Sequence, residues 1–126
     1  MDEPIRVMTV DDAALFRAAA HDLIAATEGF DPVLEVASGA EALDRAEQVH
    51  PQLVLVDVRM PEMDGIETCL RLSGRDSSAV LVLVTSDEST TVAREAQSSG
   101  AVALMAKEHL TPAMLRGLWA IHGPLV

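Results

Sequence analysis

Polar residues stand at the ends of four runs of β-branched and aliphatic residues, and their types suit phosphate and metal chemistry. Asp11-Asp12 follows Ile5 to Val10, Asp57 follows Leu53 to Val56, Thr85-Ser86 follows Val80 to Val84, and Lys107 follows Ala101 to Met105. A fifth run, Val33 to Ala37, ends in Ser38-Gly39 and is given no role. Three carboxylates sharing one pocket repel and raise one another's pKa, and a hard divalent cation such as Mg2+, which prefers oxygen ligands, relieves that repulsion. Asp57 stands between Val56 and Val58, where a carboxylate is partly desolvated and needs a partner. A carboxylate so placed is a nucleophile toward a phosphoryl group, a reaction that demands mainly positioning and neutralisation of charge. Mg2+ and Lys107 would supply the positive charge, and the Thr85 hydroxyl and backbone amides the donors. Simpler roles stand beside these: Asp11-Asp12 as the N-cap of a helix, Lys107 as a solvated surface lysine, Thr85 as an ordinary strand end.

The elements that would position these groups follow from periodicity. Three of the five apolar runs are nearly continuous in Val and Leu, the pattern of strands buried on both faces of a parallel sheet. Between them, apolar residues recur every three to four positions over Ala14 to Ala26, Ala40 to Val49, Ile66 to Leu72, Thr90 to Ser98 and Thr111 to His122. Thr111-Pro112 reads as a helix start and Gly100 as a stop. Strand and helix alternate five times, which predicts an α/β fold with helices on both faces of a parallel sheet. Ligands of such folds bind outside the carboxyl ends of the strands, where four of the five ends carry the groups above.

The ordered set resembles the receiver domain of bacterial two-component response regulators. It comprises Asp11-Asp12, Asp57, the segment Met60-Pro61-Glu62-Met63-Asp64-Gly65, Thr85-Ser86 and Lys107, and the likeness runs from Ile5 to about His122. The resemblance implies a flavodoxin-like (βα)5 three-layer sandwich whose sheet has the order 2-1-3-4-5, a topology already exemplified by a receiver protein. It implies that Asp57 accepts a phosphoryl group from the phosphohistidine of a sensor histidine kinase. It further implies that Asp11, Asp12, Asp57 and the backbone carbonyl of Arg59 hold Mg2+, that Thr85 is the switch hydroxyl, and that Lys107 pairs with the phosphate. Pro61 would stiffen the loop after the acceptor, and Asp64-Gly65 would start the third helix.

Three features depart from the family pattern. Leu104 stands where relatives usually carry an aromatic residue, and the chain has no Tyr. Glu108, not proline, follows Lys107, a junction resembling a subgroup whose receivers often precede a helix-turn-helix output domain. Arg59 and Asp87, two positions past Asp57 and Thr85, correspond to positions that flank the mouth of the site in the family; an ion pair between them, or a direct contact of Arg59 with the phosphate, would hinder a hydrolytic water and prolong the phosphorylated state. Ser86 and Leu104 join them as positions that would modulate the switch.

Composition bounds the rest. A chain of 126 residues that is 49% apolar suits one domain with a real core. Its single cysteine, Cys69, forbids an internal disulfide and reads as core. No basic stretch followed by an apolar run opens the sequence, and the longest apolar runs are six residues, so a cytoplasmic location away from the membrane is expected. A net charge of -11 and three aromatics argue against direct nucleic-acid binding. The four histidines lack ligand spacing, and Trp119 reads as packing of the last helix. The expected function is a phosphorylation-controlled switch acting through the face of helix four, strand five and helix five on an output domain or effector, with transcription regulation and dimerisation on phosphorylation as outcomes. It assists its own phosphorylation but is not a turnover enzyme. The alternative is a receiver-like interaction module independent of phosphorylation. Residues 1–126 are read as one receiver domain, with a linker opening at 122–126.

Overall fold

The computed structural model describes residues 3–75, 78–86 and 90–124. Five strands, β1 (Ile5–Val10), β2 (Phe30–Val36), β3 (Leu53–Asp57), β4 (Val80–Thr85) and β5 (Ala103–Ala106), alternate with five helices. The helices are α1 (Ala14–Ala26), α2 (Gly39–Val49), α3 (Gly65–Arg75), α4 (Thr90–Ala96) and α5 (Pro112–His122). All strand pairs are parallel, and the order is β2-β1-β3-β4-β5, as expected for the flavodoxin-like topology.

Strict alternation along the buried strands sends side chains to two separate cores. Val54 and Val56 of β3 join Met8, Val10, Leu81 and Leu83 in one cluster, packed against Leu43 of α2, Cys69 and Leu72 of α3 and Val92 of α4. Leu53 and Leu55 join Val7, Val80, Val82 and Val84 in the other, packed against Ala20 and Ile24 of α1 and Leu115 and Leu118 of α5. The sheet is therefore the middle of three layers. Each fully buried Leu or Val contributes about 1.5–3 kcal/mol by leaving water.

Several boundaries differ from the sequence reading, each for a local reason. β2 starts at Phe30, because it lies on the sheet edge and there Pro32 needs no amide to donate. The register slips at that point: Val7 faces Pro32 but Met8 faces Leu34. α4 stops at Ala96, two residues before the expected Ser98, and β5 begins at Ala103 because the chain is still turning through Gly100, whose φ is +93°. α3 extends to Arg75, whose Nη1 donates to the Leu43 carbonyl of α2 at 2.9 Å. The α5 start matches expectation: Thr111 caps the helix by accepting from the Met114 amide at 3.1 Å, with Pro112 in the first turn.

Candidate functional site

β1 and β3 lie side by side, so their carboxyl ends meet. Asp11 follows β1 and is fully buried, Asp57 closes β3 and is 5% exposed, and Asp12 faces solvent. One carboxylate oxygen from each of the three lies within 4.8 Å of the others. Asp11 and Asp12 do not cap α1 as a pair. The N-cap is Ala13, which has no side-chain cap bond, and Asp11 Oδ1 instead accepts the Ala13 amide at 2.8 Å. Arg17 Nη1 donates to the Asp11 carbonyl at 2.7 Å, tying the first turns of α1 to the end of β1.

Lys107 opens a single 3-10 turn directly after β5. Its Nζ lies 2.7 Å from Asp11 Oδ2 and 3.5 Å from Asp57 Oδ1, and its side chain is 18% exposed. It is no solvated surface lysine. Burial opposes its charge, but the hydrogen bond and field of Asp11, with the field of Asp57, outweigh that and hold its pKa above the ordinary value. Asp57 moves the other way from a typical paired carboxylate. Burial first, and Asp11's charge second, push its pKa up to about 6 against the pull of Lys107 and the Arg59 amide. That amide approaches Asp57 Oδ1 at 3.4 Å.

The loop after Asp57 is shaped by a close approach. A Cβ at Gly65 would overlap the Asp57 carbonyl oxygen and lie 2.8 Å from the carbonyl carbon, so only glycine fits there. The Gly65 amide donates to Val58 O at 2.9 Å, and Asp64 accepts from the Glu67 amide at 2.9 Å, capping α3 as expected. Glu62 takes the left-handed conformation, φ 66°, that turns the loop between Pro61 and Met63.

Thr85 ends β4 and is 1% exposed, and Ser86 beside it faces solvent. Val84 pairs with Asp57 in the sheet and Thr85 with Ala106, so Thr85 sits between the Asp57 and Lys107 strand ends. Thr85, Ser86, Lys107 and Glu108 line one cavity of about 220 Å3. The structure thus brings Asp11, Asp12, Asp57, Thr85 and Lys107 to one rim. Arg59 is exposed beside Asp57. Asp87 lies outside the described residues. Leu104 is half-buried, pairs with Leu83 and packs on the β1–β3–β4 side that faces α2, α3 and α4.

Two residues at the site escaped the sequence reading. Arg17 is one, through its bond to Asp11. Phe16 is the other: the Lys107 ammonium sits 4.7 Å from the centroid of its ring. They stand five and six residues past Asp11, in the first turn of α1, and that spacing alone does not say what they meet.

Could the acidic cluster hold Mg2+? The donors are hard oxygens, three carboxylates meet within 4.8 Å, and burial followed by the charge of Asp11 raises the pKa of Asp57 among them. That set fits a hard divalent cation.

A doubly wound parallel sheet with an acidic pit and a lysine at its carboxyl rim defines a flavodoxin-like signalling fold. The chain belongs to the response regulator receiver domain family, whose model matches residues 7–117. Domains of this family are phosphorylation-controlled switches of two-component systems that bind Mg2+ in the acidic pocket and engage histidine kinases or phosphotransfer proteins and output domains. The chain is 32% identical over 96 residues to the chemotaxis protein CheY of Bacillus subtilis, covering 76% of this chain and 79% of that protein. It is 30% identical over 119 residues to the transcriptional regulatory protein LnrK of the same organism, covering 94% of this chain but 54% of that one. A LuxR-family two-component response regulator from Aurantimonas sp. has a similar structure, with TM-score 0.84, 28% identity and coverage of 94% of this chain and 85% of that chain. The chain spans about half the length or less of the first curated relatives it matches. No helix among the described residues is long and apolar enough to cross a membrane.

Proposed function

We propose that Asp57 is the phosphoacceptor of this receiver and that Lys107 and Thr85 read its state. The observation that carries the reading is Lys107 Nζ, held 2.7 Å from Asp11 and 3.5 Å from Asp57 at the mouth of a three-carboxylate pit. An Asp57 oxygen attacks phosphorus of a kinase phosphohistidine; the O–P bond forms as the P–N bond breaks, and the electron pair leaves on the imidazole. With a pKa of about 6 in the metal-free protein, Asp57 is ionised at neutral pH, the form that attacks phosphorus. Asp11, Asp12, Asp57 and the Arg59 carbonyl would hold Mg2+, which supplies charge neutralisation at the transferring phosphoryl group. Lys107 exchanges its contact with Asp57 for the new phosphoryl oxygens, and the Thr85 hydroxyl donates to another.

That local electrostatic change biases two states of the α4–β5–α5 face. Leu104 transmits it by aliphatic repacking against Leu83's side of the core, in place of an aromatic rotation. Arg59 and Ser86 at the mouth, with Asp87, set the lifetime of the phosphorylated state. The output is an effector or a following domain joined by a linker that opens at 122–126, and the relatives named as transcriptional regulators favour transcription control, with dimerisation as one route to it. Incubation with acetyl phosphate in magnesium buffer, followed by intact-mass measurement, tests the proposal. One phosphoryl group should appear on the wild type and none on Asp57→Asn. An unmodified wild type, or a modified variant, refutes it, and the former favours an interaction module that works without phosphorylation.

A further inference from the structure

We infer that Phe16 is a positioning residue for Lys107, holding the ammonium at the phosphoryl site through the face of its ring. The inference rests on the reading of Lys107 given above. The Lys107 ammonium meets Asp11 Oδ2 at 2.7 Å, Asp57 Oδ1 at 3.5 Å and the Phe16 ring at 4.7 Å from its centroid. The two carboxylates approach from the strand ends, and the ring from α1. The ring is itself anchored, packed against the core between the sheet, α1 and α5.

An aromatic ring suits this place for a reason of charge. The pit already gathers three carboxylates, and a fourth near Lys107 would repel both them and an incoming phosphoryl group. An aliphatic side chain would fill the space without attracting the ammonium. A ring face attracts a cation yet adds no net charge. Its attraction is also broad in direction, so the ammonium can shift from Asp57 toward phosphoryl oxygens without leaving it. Arg17, the next residue, bonds the Asp11 carbonyl at 2.7 Å and fixes α1, and therefore the ring, against the end of β1.

The test replaces Phe16 by Leu, by Tyr and by trifluorophenylalanine, which keeps the ring's shape while draining its electron-rich face. Phosphorylation by acetyl phosphate in magnesium buffer is timed by intact mass, and the Lys107 ε-methylene shifts are read by NMR. Phe16→Leu should slow phosphorylation roughly tenfold, as expected for loss of a largely desolvated cation–π contact. Phe16→Tyr should keep the wild-type rate, and the fluorinated protein should be slowed although its fold is unchanged. The ε-methylene protons should be ring-shifted in the wild type and the Tyr variant but not in the Leu variant. Wild-type rates in the fluorinated protein, or unshifted ε-methylene protons in the wild type, overturn the inference. Lys107→Ala separates the two ideas: if it too is phosphorylated at the wild-type rate, the reading of Lys107 itself falls.

Discussion

Replacing Asp57 by Asn should stabilise the protein in metal-free buffer at neutral pH. The side chain keeps its shape and its acceptor toward the Arg59 amide but loses a charge that the fold penalises. Folding raises the Asp57 pKa from 3.8 to about 6, so its ionised form costs about 3 kcal/mol relative to the neutral one. The pull of Lys107 is already included in that balance. The folded state holds the proton after the unfolded chain has released it, so stability falls as pH rises from about 4 to about 7. Near pH 7.5 the whole cost is present, and near pH 5 about 1.5 kcal/mol of it. Urea unfolding followed by the fluorescence of Trp119, the chain's single tryptophan, measures both proteins with chelator present. Asp57→Asn should gain about 3 kcal/mol near pH 7.5 and roughly half that near pH 5, with unchanged dependence on urea. A variant no more stable than the wild type, or a gain indifferent to pH, would refute the argument that the acceptor is held ionised against its environment.

Other positions make sharper local tests. Gly65→Ala should destabilise by about 1–3 kcal/mol and slow phosphorylation, because the new Cβ must push the Asp57 carbonyl aside; urea melts and acetyl phosphate kinetics check both. His50 ends α2 in the left-handed region, φ 48°, while its own carbonyl accepts from Arg6 Nη2 at 2.6 Å. His50→Gly keeps that backbone acceptor, relieves the Cβ crowding and should raise stability by up to about 1 kcal/mol in thermal melts. Cys69 is fully buried and burial pushes its thiol up to about 12, so a thiol reagent near pH 8 should label it only as fast as the protein unfolds.

The rim was largely legible in the sequence because each of its residues follows a strand that announces itself. Leu53 to Val56 can hardly be anything but a buried strand, and that alone placed Asp57. Parallel topology then carried Asp11, Thr85 and Lys107 to the same end. Less legible were contacts made by helix residues turning back toward the rim. Phe16 and Arg17 lie in the first turn of α1, and nothing in their spacing says that one meets Lys107 and the other the Asp11 carbonyl. The cap of α1 was open for a related reason. Asp11-Asp12 suits an N-cap by composition, but Asp11 is drawn inward by Lys107 and only its Oδ1 remains for the Ala13 amide. The start of β2 was hidden because Pro32 forbids a strand interior but not a sheet edge, and the edge is a property of the assembled order.

The alternation of β3 has a consequence for how such a protein can diversify. Leu53 and Leu55 serve one core and Val54 and Val56 the other, so the sheet insulates two packing problems that share only a backbone. Side chains under α2, α3 and α4 can be exchanged while the opposite compartment, which holds α1, Phe16 and α5, is left untouched. α5, which shares its core with α1 and Phe16, ties the α4–β5–α5 face to that compartment.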